Sequence, residues 1–261
     1  MTMEKPTGTK EKLVIFGGRN LLRGFLTIPS RNGKVSAVIA AHGFAGTKSQ
    51  RKFVEMGRVF AKNGIAFLRF DFSGCGDSFG EYVNTGISEW FSDFSSAYRF
   101  LYMRKEIDRG RIGFLGYSLG AVIACSYIKN SGVAIPARAL ALIAPALDQK
   151  GLMKLWYTPA QLKRWQEQGY LDTPKVRLGE RYRLNVEEDY TYLASEIAVP
   201  TLVIRGGQDI DVPGHFTKRT FDALLGKKEL VTVKEADHGF ESYSAKEQLI
   251  AHSLKWFQKY L

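Results

Sequence analysis

The 261 residues, 45% hydrophobic and 24% charged, suit one large soluble domain with a full hydrophobic core. No apolar run reaches membrane-spanning length and the opening Met1–Lys10 has no apolar stretch of the secretory kind, so a cytoplasmic protein is expected, with Cys75 and Cys125 kept as thiols. The net charge of +11 raises the question of nucleic acid, but the basic residues are dispersed and the densest pairs (Arg51-Lys52, Lys163-Arg164, Lys227-Lys228) are short, so they read as solvated surface, with steering of anionic substrates as the alternative and no nucleic-acid partner.

Residues 1–10 read as a polar tail. Leu13–Phe16, a Gly17-Gly18-Arg19-Asn20 turn and Leu21–Leu26 then predict an antiparallel hairpin. Uninterrupted apolar runs follow at Val35–Ala41, Ile65–Phe70, Ile112–Leu115, Ala139–Ile143, Thr201–Ile204 and Leu230–Val233, alternating with helical segments. Runs without polar alternation are strands covered on both faces, which predicts an α/β fold: a mostly parallel twisted sheet flanked by helices. The closing stretch from Leu249 to Phe257 has helical spacing and should pack on that sheet. Residues 147–197 break the alternation. No sheet strand is apparent there, Pro159 and Pro174 punctuate short helical pieces, and Trp156, Tyr157, Trp165, Tyr170, Tyr182, Tyr190 and Tyr192 are scattered among charges. This stretch is expected to be a small inserted cap on a core made of 11–146 and 198–261.

Chemistry concentrates at Gly116-Tyr117-Ser118-Leu119-Gly120. The motif is weak alone, but here it lies between an apolar strand and the helical Ala121–Ile128. A turn that tight forces its central residue into a strained conformation, and the positions two residues away must be nearly without side chain, hence Gly116 and Gly120. The Ser118 hydroxyl is thereby lifted above the sheet edge, beside a helix N-terminus that favours negative charge.

A serine nucleophile needs a base, and the base an orienting carboxylate. His238 lies on a loop just past the last apolar run, where a parallel sheet keeps its site residues. His42 ends an early strand, while His215 and His252 fall in helices as surface or packing residues. Asp209 is the first acid after the Val203–Ile204 strand. Asp211 competes from two residues on, and Asp237 adjoins His238, but neighbouring side chains diverge. The set expected is Ser118, Asp209 and His238. The oxyanion donors expected are the backbone N–H of Leu119 and, in the loop His42-Gly43-Phe44-Ala45-Gly46, that of Phe44.

Together, His42-Gly43-Phe44, Asp71-Phe72-Ser73-Gly74-Cys75-Gly76-Asp77-Ser78, the Ser118 motif, Gly206-Gly207-Gln208-Asp209 with Val212-Pro213, and His238 resemble the α/β-hydrolase superfamily from Ile39 to the C-terminus. The order Ser118, Asp209, His238 is also that family's. The His-Gly-Phe start, the Gly-Cys-Gly-Asp-Ser loop and the modest cap resemble serine esterases of the cinnamoyl/feruloyl esterase type. Monoacylglycerol-lipase-like and dipeptidyl-peptidase-like members share much of the pattern. The resemblance implies a carboxylic ester hydrolase working through an acyl-enzyme on a small-molecule ester, with no cofactor and no metal. Lipase-like, thioesterase and serine peptidase activities are the alternatives, and a non-catalytic binding module is a further one. It also implies a structural role for the Asp71–Ser78 loop, with Cys75 standing where many relatives carry His or Arg, and a cap that lines the substrate pocket.

Overall fold

The structure, a computed structural model, describes residues 8–18, 21–133 and 136–261. Arg19 and Asn20 of the expected turn, and residues 1–7 of the expected tail, lie outside the described residues. Strands β1 (Thr9–Phe16) and β2 (Leu22–Pro29) form the antiparallel hairpin, with Leu13 opposite Phe25. Thr9 and Lys10 already pair with Pro29 and Ile28, so the strand starts inside the stretch read as tail. β1 is an edge strand with mostly exposed side chains, and an edge tolerates the lysines that obscure it in the sequence.

The apolar runs become β3 (Val35–Ala41), β4 (Ile65–Phe70), β5 (Ile107–Tyr117) and β6 (Ala139–Ile143). After an insertion that carries the short strands β7 (Tyr170–Asp172) and β8 (Arg177–Gly179), the sheet resumes with β9 (Thr201–Gly206) and β10 (Lys228–Val233). The order is β1-β2-β4-β3-β5-β6-β9-β10, antiparallel as far as the β2–β4 pair and parallel from β4 onward. This is the α/β-hydrolase fold.

Helices α1 (Arg51–Lys62), α2 (Ile87–Tyr102) and α3 (Leu119–Asn130) follow β3, β4 and β5, and the helices later in the chain are numbered on to α8 (Tyr243–Tyr260). Two hydrophobic layers sandwich the sheet. Phe53, Met56 and Phe60 of α1 meet Leu249 and Phe257 of α8 on one side, and Trp90, Phe94, Val122 and Ile123 of α2 and α3 fill the other. Each fully buried phenylalanine contributes about 3 kcal/mol to this arrangement.

Residues 147–197 connect β6 to β9 through α4 (Gln149–Trp156), α5 (Pro159–Gln168), the antiparallel β7–β8 pair, α6 (Glu180–Val186) and a 3-10 helix, Tyr190–Glu196. Helix α5 starts at a capping box of Thr158 with Gln161 and ends at Gly169, whose φ of 77° suits glycine. The small β7–β8 sheet corrects the expectation that no strand lies here. Three-residue strands are too short to show a period, and they do not join the main sheet. Trp165 and Tyr182 are fully buried and stack at 6.2 Å.

Candidate active site

The candidate residues emerge at the carboxyl ends of β3, β5, β9 and β10. Between β5 and α3, Ser118 has φ 53° and ψ −119°. That conformation costs an L-residue about 1–3 kcal/mol and persists only where surroundings impose it. Here the Ser118 N–H donates to the Ile143 carbonyl (2.9 Å), and its own carbonyl accepts from Ala121 (3.0 Å) and Ala146 (3.2 Å). A Cβ on Gly116 would lie 2.6 Å from Ala121 Cα, and one on Gly120 would collide with the carbonyl oxygens of Ala41 and His42. Both clashes are with backbone, which cannot step aside. Gly120→Ala is therefore expected to lower stability by about 3 kcal/mol, read from the midpoint of denaturant unfolding. An unchanged midpoint would show that the turn relaxes.

Ser118 Oγ lies 3.0 Å from His238 Nε2, and His238 Nδ1 lies 2.8 Å from Asp209 Oδ2. With Nδ1–H donating to the carboxylate, Nε2 is left as the acceptor for the serine proton. The Asp209 side chain is 1% exposed, and its second oxygen accepts from the Val212 N–H at 2.8 Å, which fixes the carboxylate plane. The competing acids stand elsewhere. Asp211 is exposed and its backbone carbonyl accepts from Trp156 Nε1, while Asp237 is exposed and accepts from the Glu241 N–H. His215 is exposed on α7 (Gly214–Ala223) and His252 is half-buried on α8.

The loop His42–Gly46 packs directly on the elbow. A Cβ on Gly43 would lie 2.9 Å from Ser118 Cβ and 3.1 Å from the Tyr117 carbonyl oxygen. Among the described residues the N–H groups of Phe44 and Leu119 have no hydrogen-bond acceptor, and Leu119 opens α3, so the positive end of that helix is directed here. Besides Ser118, the described non-glycine residues with left-handed φ are Ala45, Ala144 and Phe240. One follows Phe44, one ends β6 beside the elbow, and one lies two residues after His238. Strain is thus concentrated around this one place.

His42 is a structural residue. The Phe72 N–H donates to its Nε2 (3.1 Å), so Nδ1 carries the proton and donates to the Gly43 carbonyl (2.9 Å). Burial holds it below the ordinary imidazole range, against the opposing pull of the Gly43 hydrogen bond and the Asp71 carboxylate. The neutral ring ties the His42–Gly46 loop to the Asp71–Ser78 loop. That second loop is organised by fully buried Asp71, which accepts from the Lys48 N–H (2.6 Å), Lys48 Nζ (2.5 Å) and the Asp77 N–H (2.9 Å). Lys48 Nζ also pairs with Asp77. Cys75 and Cys125 are free, buried thiols. Burial, reinforced at Cys75 by Asp71 and Asp93, pushes both up, Cys125 to about 12, which leaves them poor nucleophiles.

Among the described residues the reading of basic residues as solvated surface fails at four places: Lys48 (2%), Lys52 (3%), Arg69 (4%) and Lys246 (2%) are buried. Lys52 was identifiable, because helical spacing sets it on the same face as Met56 and Phe60. A cavity of about 550 Å³ in the insertion, lined by Met153, Leu162, Trp165 and Val186 with Lys150 and Lys154 at its edge, is not lined by Ser118, His238 or Asp209. Among the described residues no helix is long and apolar enough to cross a membrane.

The family described as serine aminopeptidase, S33, matches residues 33–187, more than half of the chain. The chain belongs to this family of α/β hydrolases. An uncharacterized protein of Mycobacterium tuberculosis is 26% identical to this family member over 83% of this chain and 68% of its own length. The mitochondrial palmitoyl-protein thioesterase ABHD10 of Rattus norvegicus is 23% identical over 79% of this chain and 70% of its own length. Among solved structures, Est1E of Butyrivibrio proteoclasticus with ferulic acid bound superposes with a TM-score of 0.81 at 18% identity, over 95% of this chain and 99% of that one.

Proposed function

We propose that this α/β hydrolase cleaves carboxylic esters through a covalent acyl-enzyme on Ser118. The observation that carries the reading is the continuous contact from Asp209 through His238 to a serine held at φ 53°. His238 Nε2 accepts the hydroxyl proton as Oγ attacks the ester carbonyl carbon. The oxyanion that forms is bound by the N–H groups of Leu119 and Phe44. Collapse breaks the carbon–oxygen bond to the alcohol, which leaves with the proton from His238. Water then enters by the same route, gives its proton to His238 and releases the acid, restoring Ser118. Asp209 holds the imidazole tautomer and stabilises its cationic form.

The rings of Tyr82 (5.8 Å) and Tyr182 (5.9 Å) pack on Phe44, so the surroundings of the Phe44 N–H are aromatic. Aryl acyl groups such as hydroxycinnamoyl, and short acyl chains, suit such flat apolar contact. A thioester is the second reading, supported by the thioesterase among the relatives, since the same steps cleave a carbon–sulfur bond.

The test is turnover of chromogenic short-chain, medium-chain and aryl-acyl esters beside the matching thioesters, with a phosphonate probe for the serine. Ester turnover together with probe attachment at Ser118 is the expected result. Probe attachment without ester turnover would move the substrate to thioesters or peptides. Absence of both would remove the enzyme reading.

A further inference from the structure

Helix α1 places a lysine where its spacing calls for an apolar residue. Lys52 shares a face with Met56 and Phe60 and is 3% exposed, yet among the described residues no carboxylate lies within ion-pair distance of it. A buried ammonium without a counter-ion is costly, and a methionine of similar shape would pack there without that cost. The partners Lys52 does have are specific. Its Nζ donates to the carbonyl of Gly239 at 2.8 Å and sits 4.0 Å from the centroid of the Tyr117 ring. The Tyr117 hydroxyl in turn donates to the carbonyl of His238 at 3.0 Å, and its ring lies 5.3 Å from the imidazole.

Two consecutive carbonyls, of His238 and of the residue after it, are therefore held by two donors that touch each other. One donor is on α1; the other is the residue immediately before Ser118. Phe240, next along the loop, has φ 54°, so the loop follows a path that needs an outside hold. We infer that Lys52 and Tyr117 are positioning residues that clamp the His238 loop to the elbow and so set the separation of His238 Nε2 from Ser118 Oγ. The inference rests on the reading of His238 as the base in ester cleavage. A loop hydrogen-bonded to the residue beside the nucleophile moves with the nucleophile, which keeps a contact of 3.0 Å in register.

The clamp carries its own signature with pH. Burial pulls the Lys52 ammonium down to about 8, opposed by Glu241 and Asp237 of the clamped loop and assisted by Lys175 between β7 and β8. On its own helix, Glu55 is occupied by Arg51 and by Lys246 of α8. The Tyr117 phenol is pushed far above its ordinary range by burial and by the surrounding carboxylates, so it keeps its proton throughout. As pH rises through about 8, the hydrogen bond to Gly239 changes from charge-assisted to neutral, roughly halving its strength, and the cation–ring attraction is lost. Activity should step down there. Stability moves the other way: the folded state gives up this proton before the unfolded chain does, so between about 8 and the ordinary lysine value of 10.5 the unfolded state binds more protons and folding is favoured.

The experiment compares wild type, K52M and Y117F by kcat and KM on a p-nitrophenyl ester from about pH 6 to about pH 9.5, with thermal unfolding and amide hydrogen exchange of residues 237–241. K52M is expected to lose kcat by roughly 10- to 100-fold with KM nearly unchanged, to lack the alkaline step, and to unfold no earlier than wild type. Y117F, which keeps the ring under Lys52, should lower kcat by about 10-fold and retain the step. In both variants exchange should quicken within 237–241 and stay unchanged in the core strands. Wild-type exchange of that loop in K52M overturns the clamp, and so does a loss of kcat accompanied by faster exchange throughout the chain. If wild type turns over no ester, the functional reading fails by itself, and the exchange of 237–241, which needs no substrate, still decides the clamp.

Discussion

Ser118→Ala should lower kcat for any turned-over ester by about 10⁶ and abolish attachment of the phosphonate probe. The magnitude follows from the proposed mechanism, in which the hydroxyl oxygen bonds to the substrate carbonyl and its proton passes to His238, 3.0 Å away. A methyl group offers neither. The substitution keeps Cβ, the atom that Gly43 is shaped to meet, and it keeps the backbone hydrogen bonds to Ile143, Ala121 and Ala146. The variant is therefore expected to unfold at the wild-type temperature, which separates lost chemistry from lost structure. Turnover at the wild-type rate in a folded Ser118→Ala protein would assign the reaction to another group.

The next largest effect is expected at the carboxylate. Asp209→Asn should cost about 10⁴ in kcat, the loss seen on the same change in the serine protease template. An amide at this position can turn its NH₂ toward Nδ1, which moves the ring proton to Nε2 and leaves the Ser118 hydroxyl without an acceptor. The amide oxygen can still receive the Val212 N–H, so the fold should survive. Asp211→Asn, on an exposed side chain two residues away, should change kcat by no more than about twofold. Steady-state kinetics on the two variants decides the matter, and a reversed ranking would transfer the orienting role to Asp211.

Much of this arrangement is legible in the amino-acid sequence, for reasons that lie in particular residues. Gly116 and Gly120 can be assigned because an elbow brings backbone against backbone, and a side chain at either point has nowhere to go. The central strands stand out because β3 and β4 are buried along their whole length, so apolar residues fill them on both faces with single polar exceptions at Ser36 and Arg69. Strand order is not legible. The placement of β4 between β2 and β3 is a matter of crossover and hydrogen-bond register, to which residue type is nearly indifferent. The β7–β8 pair is hidden by its length, and the start of β1 by its edge lysines. Around the candidate site, Asp209 and His238 can be picked out as candidates from loop position, and they are in contact, whereas Lys52 disappears into a count of surface charge. Its helical phase with Met56 contains the information, but charge counting discards phase.

Tyr182 belongs to the insertion by sequence but to the core by contact, packing against Phe44, Tyr82 and Trp90 at once. The ring behind it, Trp165, completes a run of rings from α5 to Phe44. The insertion is therefore a wall shared by two rooms. Descendants of this sequence that trade one segment of 147–197 for another inherit a matching problem: whatever replaces Tyr182 has to fill the same space above Phe44, or the loop that begins at His42 loses its backing. A change of ring size at Tyr182 is therefore expected to need a matching change at Phe44, Tyr82 or Trp90, whereas the outer face of the insertion, where Leu155 and Leu184 are exposed, carries no such pairing.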